Sequence, residues 1–349
     1  MRTISLSRRT FLAQGTLFLA GTAGFSKHAF SQQHVDEPIL RIALMTDVHY
    51  SDREPSGAAW HYRESLEKLG VMATETAKHR IDFAVELGDF ITGGGSVENA
   101  KKDLQTIDVA FAKICKQRHY VLGNHCVNVL TKEEFLAAVG QNKSYYSFDV
   151  NGWHFVVLDA CFRNDGIPYG RSLKREGGDT QIPEEEIDWL RADLASAAGP
   201  TIVFIHQRLD LEDSHSYYSV NNADRIRAVL EGSGKVRLVL QGHEHSGGYK
   251  KIGGIHYCTL TALVQGPELT DSAFAFLEIT KNADICLHGF CRQASRAFPK
   301  PEVWATEKSV KTLDNYCILP NLSERQQRTD EIPTLTHQGL ACSLYNMIE

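Results

Sequence analysis

The stretch RLVLQGHEHSGGY, residues 237–249, begins as an apolar strand and then changes to glycine, two histidines and a glutamate. An apolar run of this length that stops at a glycine is typical of a buried strand. His243 and His245 therefore stand where a strand ends, the edge at which α/β sheets gather their ligand-binding loops. A single pair of this kind is a weak signal, because a polar surface loop explains it equally well.

Apolar runs of the same kind recur along the chain and alternate with helical patterns. Five of them precede the opening stretch, at residues 39–46, 81–87, 119–122, 153–159 and 201–206. Segments 62–79 and 182–197 carry apolar residues at helical spacing, which together with the strands predicts an α/β fold. After residue 253 the apolar runs follow one another without strong helices, which predicts a second, antiparallel sheet. Two packed sheets with helices outside are expected.

The composition indicates an ordinary globular protein. Of 349 residues, 42% are apolar and 23% are charged, so the chain is not of a disordered type. The net charge of −6 gives no basic surface for nucleic acid, and none is expected as a partner. Eight cysteines show no CxxC motif, and most are predicted to be buried thiols. Cys286 and Cys291 are close enough in sequence to be checked as a disulfide pair.

The amino terminus has the pattern of an export signal. Arg8 and Arg9 lie in SRRTFL, and a weakly apolar run and small residues near Ser31 follow. This resembles a twin-arginine signal, which exports folded proteins, although an amphipathic first helix is the alternative. The apolar run is too short and too rich in Gly and Thr for a membrane span. We expect a signal at residues 1–31, the Tat machinery as a partner, and a periplasmic or secreted protein. A main domain at 38–300 and a peripheral or poorly ordered tail at 301–349 complete the predicted organisation.

Polar side chains follow the apolar runs at the predicted strand ends. Each has an ordinary explanation when it is taken alone, such as a helix cap or a buried histidine. The set consists of two carboxylates, one amide and five imidazoles: Asp47, His49, Asp89, Asn124, His125, His206, His243 and His245. Such a mixture of oxygen and nitrogen donors suits Mn, Fe or Zn. The sequence therefore predicts a divalent-metal site at this edge of the sheets.

The order of these blocks resembles one known family. DxH, GD, GNH, a lone His after a strand and GHxH occur in the same order in the calcineurin-like metallophosphoesterases, and the resemblance covers roughly residues 40–292. It implies a four-layer α/β/β/α sandwich and two divalent metal ions per chain, of Mn, Fe or Zn. It implies hydrolysis of a phosphoester by a hydroxide that bridges the two metals.

The resemblance also implies roles for single residues. One metal is expected on Asp47, His49 and His245, the other on Asn124, His206 and His243, with Asp89 bridging the two. His125 is expected to stabilise or protonate the leaving oxygen; the alternative is a hydrogen-bonding partner of a ligand.

The chain departs from the family pattern at Cys126, where many relatives have an acid that would orient His125. Loss of that acid puts the acid role of His125 in question and leaves the metal ligands untouched. Purple acid phosphatases have a metal-binding tyrosine three residues after their Gly-Asp pair. GDFIT lacks this tyrosine, which disfavours a purple Fe(III) enzyme.

Several segments are similar to the manganese-dependent ADP-ribose/CDP-alcohol diphosphatases, among them HYRESLEKL, IDWLRADL and VFIHQRLD. That branch often has Gln where this chain has His49. The resemblance implies a small phosphoester or nucleotide-diphosphate substrate. Arg63, Arg163 and Arg208 are candidate phosphate contacts, and Trp60 or Tyr169 could stack on a base. The alternatives are a phosphomonoesterase of the same fold and a metal-binding scaffold with weakened catalysis.

Overall fold

The computed structural model describes residues 37–93, 95–171, 179–213 and 215–300. The predicted export signal at 1–31 and the predicted tail at 301–349 lie outside these residues. None of the helices in the described ranges is long and apolar enough to cross a membrane.

The described residues form twelve strands and five α-helices. The strands are β1 (Leu40–Met45), β2 (Phe83–Glu86), β3 (Arg118–Tyr120), β4 (Tyr146–Val150), β5 (Trp153–Val157), β6 (Thr201–Phe204), β7 (Val236–Gln241), β8 (Gly248–Ile252), β9 (Ile255–Thr259), β10 (Ala273–Ile279), β11 (Ile285–Cys291) and β12 (Arg296–Phe298). The helices are α1 (Glu64–Thr76), α2 (Val97–Phe111), α3 (Lys132–Val139), α4 (Glu184–Ser196) and α5 (Ala223–Ser233). The six apolar runs predicted as strands correspond to β1, β2, β3, β5, β6 and β7.

The strands make two mixed sheets of six. The first has the order β12-β11-β10-β1-β2-β3 and the second the order β4-β5-β6-β7-β9-β8. Parallel pairing joins β1 to β2 and β2 to β3 in the first sheet, and it joins β5, β6, β7 and β9 in the second. Strands with parallel neighbours are buried on both faces, which explains why β2, β5, β6 and β7 are apolar throughout most of their length.

Side chains of β1 alternate between two cores. Leu40, Ile42 and Leu44 point into the core between the sheets, where they meet the second sheet. Ala43 and Met45 point the other way, toward a core shared with α1 and α2. A third core packs α4 and α5 on the outer face of the second sheet. The layers are therefore helix, sheet, sheet and helix, which confirms the predicted four-layer sandwich.

The prediction for the strands after residue 253 was wrong in one respect. These strands do not form a sheet of their own, because β9 pairs in parallel with β7 in the second sheet. β10 instead pairs antiparallel with β1, and β11 and β12 extend the first sheet. The partners lie far apart in sequence, so local patterns carry no information about this choice.

Cys286 and Cys291 lie on the same strand, β11, and Cys291 is a free thiol. The suggested disulfide between these two is therefore not formed.

Candidate metal centre

The polar residues predicted at strand ends converge on one edge of the sandwich. Asp47 and His49 follow β1, Asp89 follows β2 and Asn124 follows β3, all in the first sheet. From the second sheet, His206 follows β6, and His243 and His245 follow β7. The carboxyl ends of the parallel strands in both sheets thus supply the site, as expected for α/β folds.

One group of possible ligands is formed by Asp47, His49 and His245, whose donor atoms lie within 4.8 Å of one another. Oδ1 of Asp47 is 3.6 Å from Nε2 of His49 and 3.4 Å from Nε2 of His245. Asp47 and His49 are fully buried, whereas His245 is partly open to solvent. This is the set of residues predicted for one metal.

A second group contains Asp89, His206 and His243, again within 4.8 Å. Oδ2 of Asp89 lies 3.1 Å from Nε2 of His206 and 3.6 Å from Nε2 of His49, so its carboxylate is within reach of both groups. Nδ1 of His206 donates to the carbonyl of Leu87 at 2.8 Å, which directs Nε2 toward Asp89. This position agrees with the bridging role that is expected of Asp89.

Unpaired buried donor atoms fit a pair of divalent ions. Oδ1 of Asp47, both ring nitrogens of His49, Oδ1 of Asn124 and Nε2 of His206 are buried without a hydrogen bond. Buried polar atoms normally have partners, because an unpaired one costs about 1–3 kcal/mol. Their concentration at one place, with the oxygen and imidazole chemistry of this donor set, is what metal coordination would satisfy.

The charges of the site also favour a cation. Burial raises the pKa of the Asp47 carboxyl, but the neighbouring His245 and His49 outweigh that effect and hold it well below its usual range. Burial lowers the pKa of His49 to about 4, so this imidazole is neutral near pH 7. Ionised carboxylate and neutral imidazole are the forms that bind metals.

Four of the possible ligands have strained backbones. The φ angles are 50° at Asp47, 46° at His49, 59° at Asp89 and 70° at His243, a region that non-glycine residues rarely adopt. Each such conformation costs on the order of 1–3 kcal/mol and is concentrated at functional sites in proteins. Four such conformations lie together at this edge of the sandwich, as is typical of a functional site.

The glycine of GHxH is required by close packing. A Cβ on Gly242 would stand 2.0 Å from Oγ1 of Thr46 and 2.8 Å from Oδ2 of Asp47. Oδ2 of Asp47 also accepts a hydrogen bond from the backbone N–H of His243 at 3.0 Å. The loop after β7 can therefore approach the loop after β1 only with glycine at this position.

His125 stands beside both groups, and its ring is fixed by the backbone. Its centroid is 4.8 Å from that of His49, and its Nδ1 donates to the carbonyl of Thr92 at 2.9 Å. Cys126 is buried, and its Sγ accepts a hydrogen bond from the backbone N–H of Phe90. The Thr92 carbonyl therefore orients His125, a task that sequence reasoning assigned to the missing acid.

Glu244, between the two histidines of GHxH, forms an ion pair with Arg208. Arg208 is 6% exposed and binds Asp210 through Nε and Nη2 at 2.8 and 2.7 Å. Arg208 was predicted as a phosphate contact; the structure places it in a buried pair that holds the histidine loop.

The other candidate substrate contacts also have partners. Arg63 pairs with Asp52 and Glu54, and Arg163 pairs with Asp165 at 2.8 Å. Both arginines are partly exposed. Tyr169 is only 8% exposed and bonds to Thr180, so its ring is not available for stacking on a base.

Aromatic residues from two loops, among them Trp60 and Tyr217, lie against the site. The Trp60 ring is 4.6 Å from His49 and 4.7 Å from His245. Tyr217, which sequence reasoning did not single out, stacks on His243 at 5.5 Å and 21°. No periodic pattern marks either residue, because both are carried by loops.

Comparison with known proteins gives consistent results. Residues 40–247 match the family described as calcineurin-like phosphoesterase. A manganese-dependent ADP-ribose/CDP-alcohol diphosphatase of Oryza sativa subsp. japonica is 25% identical over 286 residues, which cover 70% of this chain and 89% of the relative. A 3',5'-cyclic-nucleotide phosphodiesterase of Nostoc is 24% identical, with 62% and 76% covered. The crystal structure of a dimetal phosphatase from Danio rerio superposes with a TM-score of 0.66 at 20% identity, covering 76% of this chain and all of that one.

Proposed function

The chain belongs to the calcineurin-like phosphoesterase family, and from this membership we propose that it hydrolyses a phosphodiester or pyrophosphate bond in a small nucleotide-like substrate. It is a metal-dependent hydrolase of the dimetal type. The observation that carries the proposal is a pair of ligand groups in which Asp89 of the second group lies 3.6 Å from His49 of the first, with His125 beside them.

A pair of divalent ions, when bound, neutralises charge on the phosphate and lowers the pKa of a bound water. The residues of the first group, Asp47, His49 and His245, would hold one ion. Asn124, His206 and His243 would hold the other, and the Asp89 carboxylate would contact both.

His125 acts on the leaving group in this proposal. Its Nδ1–H is committed to the Thr92 carbonyl, so Nε2 is the ring nitrogen left to act on the phosphoester. A proton held at Nε2 stabilises the departing oxygen and then transfers to it. The carbonyl at Nδ1 accepts a hydrogen bond in either charge state of the ring and keeps its orientation during the transfer.

The substrate class is proposed from the relatives. The rice relative is named for ADP-ribose and CDP-alcohols, so a nucleoside diphosphate ester is the first substrate to test. We expect a higher kcat/KM for ADP-ribose than for an aryl phosphomonoester, and loss of both activities in chelator. Preference for the monoester would remove the diphosphatase proposal and support the monoesterase alternative. If the metal-loaded protein hydrolyses no phosphomonoester, phosphodiester or pyrophosphate ester, the result would support the alternative of a metal-binding scaffold with weakened catalysis.

The Nostoc relative favours a second substrate, a 3',5'-cyclic nucleotide. Including cyclic AMP in the same panel separates the two classes, because it presents a diester and no pyrophosphate.

Export through the twin-arginine pathway is proposed from Arg8 and Arg9 with the following Phe11 and Leu12. Replacing both arginines by lysine should leave the protein in the cytoplasm. Unchanged delivery to the periplasm would contradict the proposal.

A further inference from the structure

Lys68 is a fully buried lysine on α1 and is not one of the possible metal ligands. Its Nζ donates to three backbone carbonyls, those of Leu263 at 3.1 Å, Gln265 at 2.8 Å and Gly266 at 2.6 Å. An ammonium has three N–H donors and no acceptor, so the three carbonyls use all of them. Burial lowers the pKa of Lys68 to about 8, because removal from water disfavours the charged ammonium. Residues 263–266 thereby receive three hydrogen bonds from one side chain, while the backbone N–H groups of Leu263 and Val264 donate to the carbonyls of Thr46 and Asp47.

The 263–266 segment is attached to the loop that carries Trp60. The backbone N–H of His61 donates to the carbonyl of Val264 at 3.1 Å, and that of Gly266 donates to Ala59 at 3.2 Å. Trp60 and Gln265 face each other in an isolated antiparallel bridge. A shift of the segment is therefore transmitted directly to Trp60.

Trp60 in turn contacts three histidines of the site. Its ring centroid lies 4.6 Å from His49, 4.7 Å from His245 and 6.2 Å from His125. Displacing the indole would free two possible ligands and expose the leaving-group histidine to water. In the described part of the chain, no other ring lies against all three of these imidazoles.

We propose that Lys68 is a positioning residue of the phosphoesterase site, whose ammonium fixes the 263–266 segment and so holds Trp60 against the imidazoles. Lys68 acts through Trp60 and touches no substrate. The expected effect on kcat/KM rests on the proposed function, whereas the expected effect on the position of Trp60 does not.

The chain contains a matched control in Lys235. Its Nζ also donates to three carbonyls, those of Leu194 at 2.7 Å, Ala195 at 3.0 Å and Ala197 at 2.6 Å, at the end of α4. Lys235 precedes β7, whereas His243 follows that strand, so the two lie at opposite ends of it. Lys235→Met also removes an ammonium and its three hydrogen bonds to backbone carbonyls, but it leaves the Trp60 loop unchanged.

The structural test needs no catalysis. The near-UV circular dichroism of the parent minus that of Trp60→Phe gives the signal of the Trp60 ring. We expect Lys68→Met to remove most of this difference signal and Lys235→Met to retain it. Lys68→Arg, which keeps the charge and the donors, should retain part of it. Where Lys68→Met does not fold, Lys68→Gln takes its place. A full Trp60 signal in a folded Lys68→Met or Lys68→Gln protein would overturn the proposal.

The kinetic test is a double-mutant cycle on kcat/KM, with ADP-ribose and bis-p-nitrophenyl phosphate. Lys68→Met should lower kcat/KM by about tenfold, within the range of coupling between residues of one hydrogen-bond network, and should have no further effect in a Trp60→Ala background. Independent, additive losses would overturn the proposal. If the parent protein hydrolyses neither ester, the proposed function fails, and the dichroism test still decides on Lys68.

Discussion

At the scale of single residues, Asn124 and His125 are neighbours with different tasks. His125→Ala should retain both metals and lower kcat by about 10²–10⁴, the usual range for general acid–base assistance. The loss should be smaller for substrates with good leaving groups, because such an oxygen departs without a proton. Steady-state kinetics on aryl esters of graded leaving-group pKa measures this. An equal loss for all esters would make His125 an electrostatic stabiliser.

Asn124→Ala is the variant to compare with His125→Ala. Oδ1 of Asn124 is buried at the site without a hydrogen bond, as expected of a metal ligand. This variant should lose affinity for one metal, and high metal concentrations should partly restore its activity. Elemental analysis after dialysis distinguishes the two neighbours. Metal loss from His125→Ala and not from Asn124→Ala would reverse their roles.

At the scale of loops and strands, the approach of two loops depends on Gly242. Gly242→Ala puts a Cβ against Thr46 and Asp47, so we expect loss of metal from the Asp47 group and a fall in kcat/KM of at least about 10². Gly232→Ala is the control, because a Cβ there meets nothing within 4 Å in α5. That variant should keep its activity and gain about 0.5–1 kcal/mol in stability. Normal metal content in Gly242→Ala would contradict this account of the loop.

The positions of the strands could be predicted from the sequence, whereas their order in the sheets could not. The strands preceding the site were predicted because apolar runs end at glycine or at polar donors, as at Asp89 and His243. The sheet to which β9 and β10 belong was not predictable, because strand pairing is decided by packing between distant segments. The pairing of Glu244 with Arg208, 36 residues apart, is another long-range contact. Trp60, at the site, and Lys68, on α1, lie in segments whose local pattern gives no sign of the metal centre.

At the scale of the whole molecule, His154 makes stability depend on pH. Burial lowers its pKa, but hydrogen bonds to Asp193 at 2.8 Å and Asp149 at 2.9 Å outweigh burial and raise the pKa above 6.5. The stabilisation is fully present below pH 6.5 and is lost as pH rises through the folded-state pKa. Urea unfolding from pH 6 to 9 should show this decline, and His154→Gln should remove it. The exposed His79→Gln variant should behave like the parent, and an unchanged slope in His154→Gln would refute the assignment.

Metal removal should also lower the stability of the whole molecule. Each ligand group combines side chains from both sheets, for example His49 from the first and His245 from the second. Ions bound at 100 times Kd contribute about 2.7 kcal/mol each, so chelation should lower the Tm by roughly 5–10 °C. Differential scanning calorimetry with and without chelator measures this. The same Tm in both conditions would mean that the sheets do not depend on the ions.

The sharing of ligands between sheets has a consequence for the order of events during biogenesis. A nascent or half-assembled chain has neither group complete, because His206, His243 and His245 reach the others only after the sheets have packed. Tight metal capture is therefore a late event that marks a finished tertiary structure. During refolding with a fluorescent metal indicator, uptake should coincide with the slowest folding phase. Metal content would then distinguish finished molecules from unfinished ones.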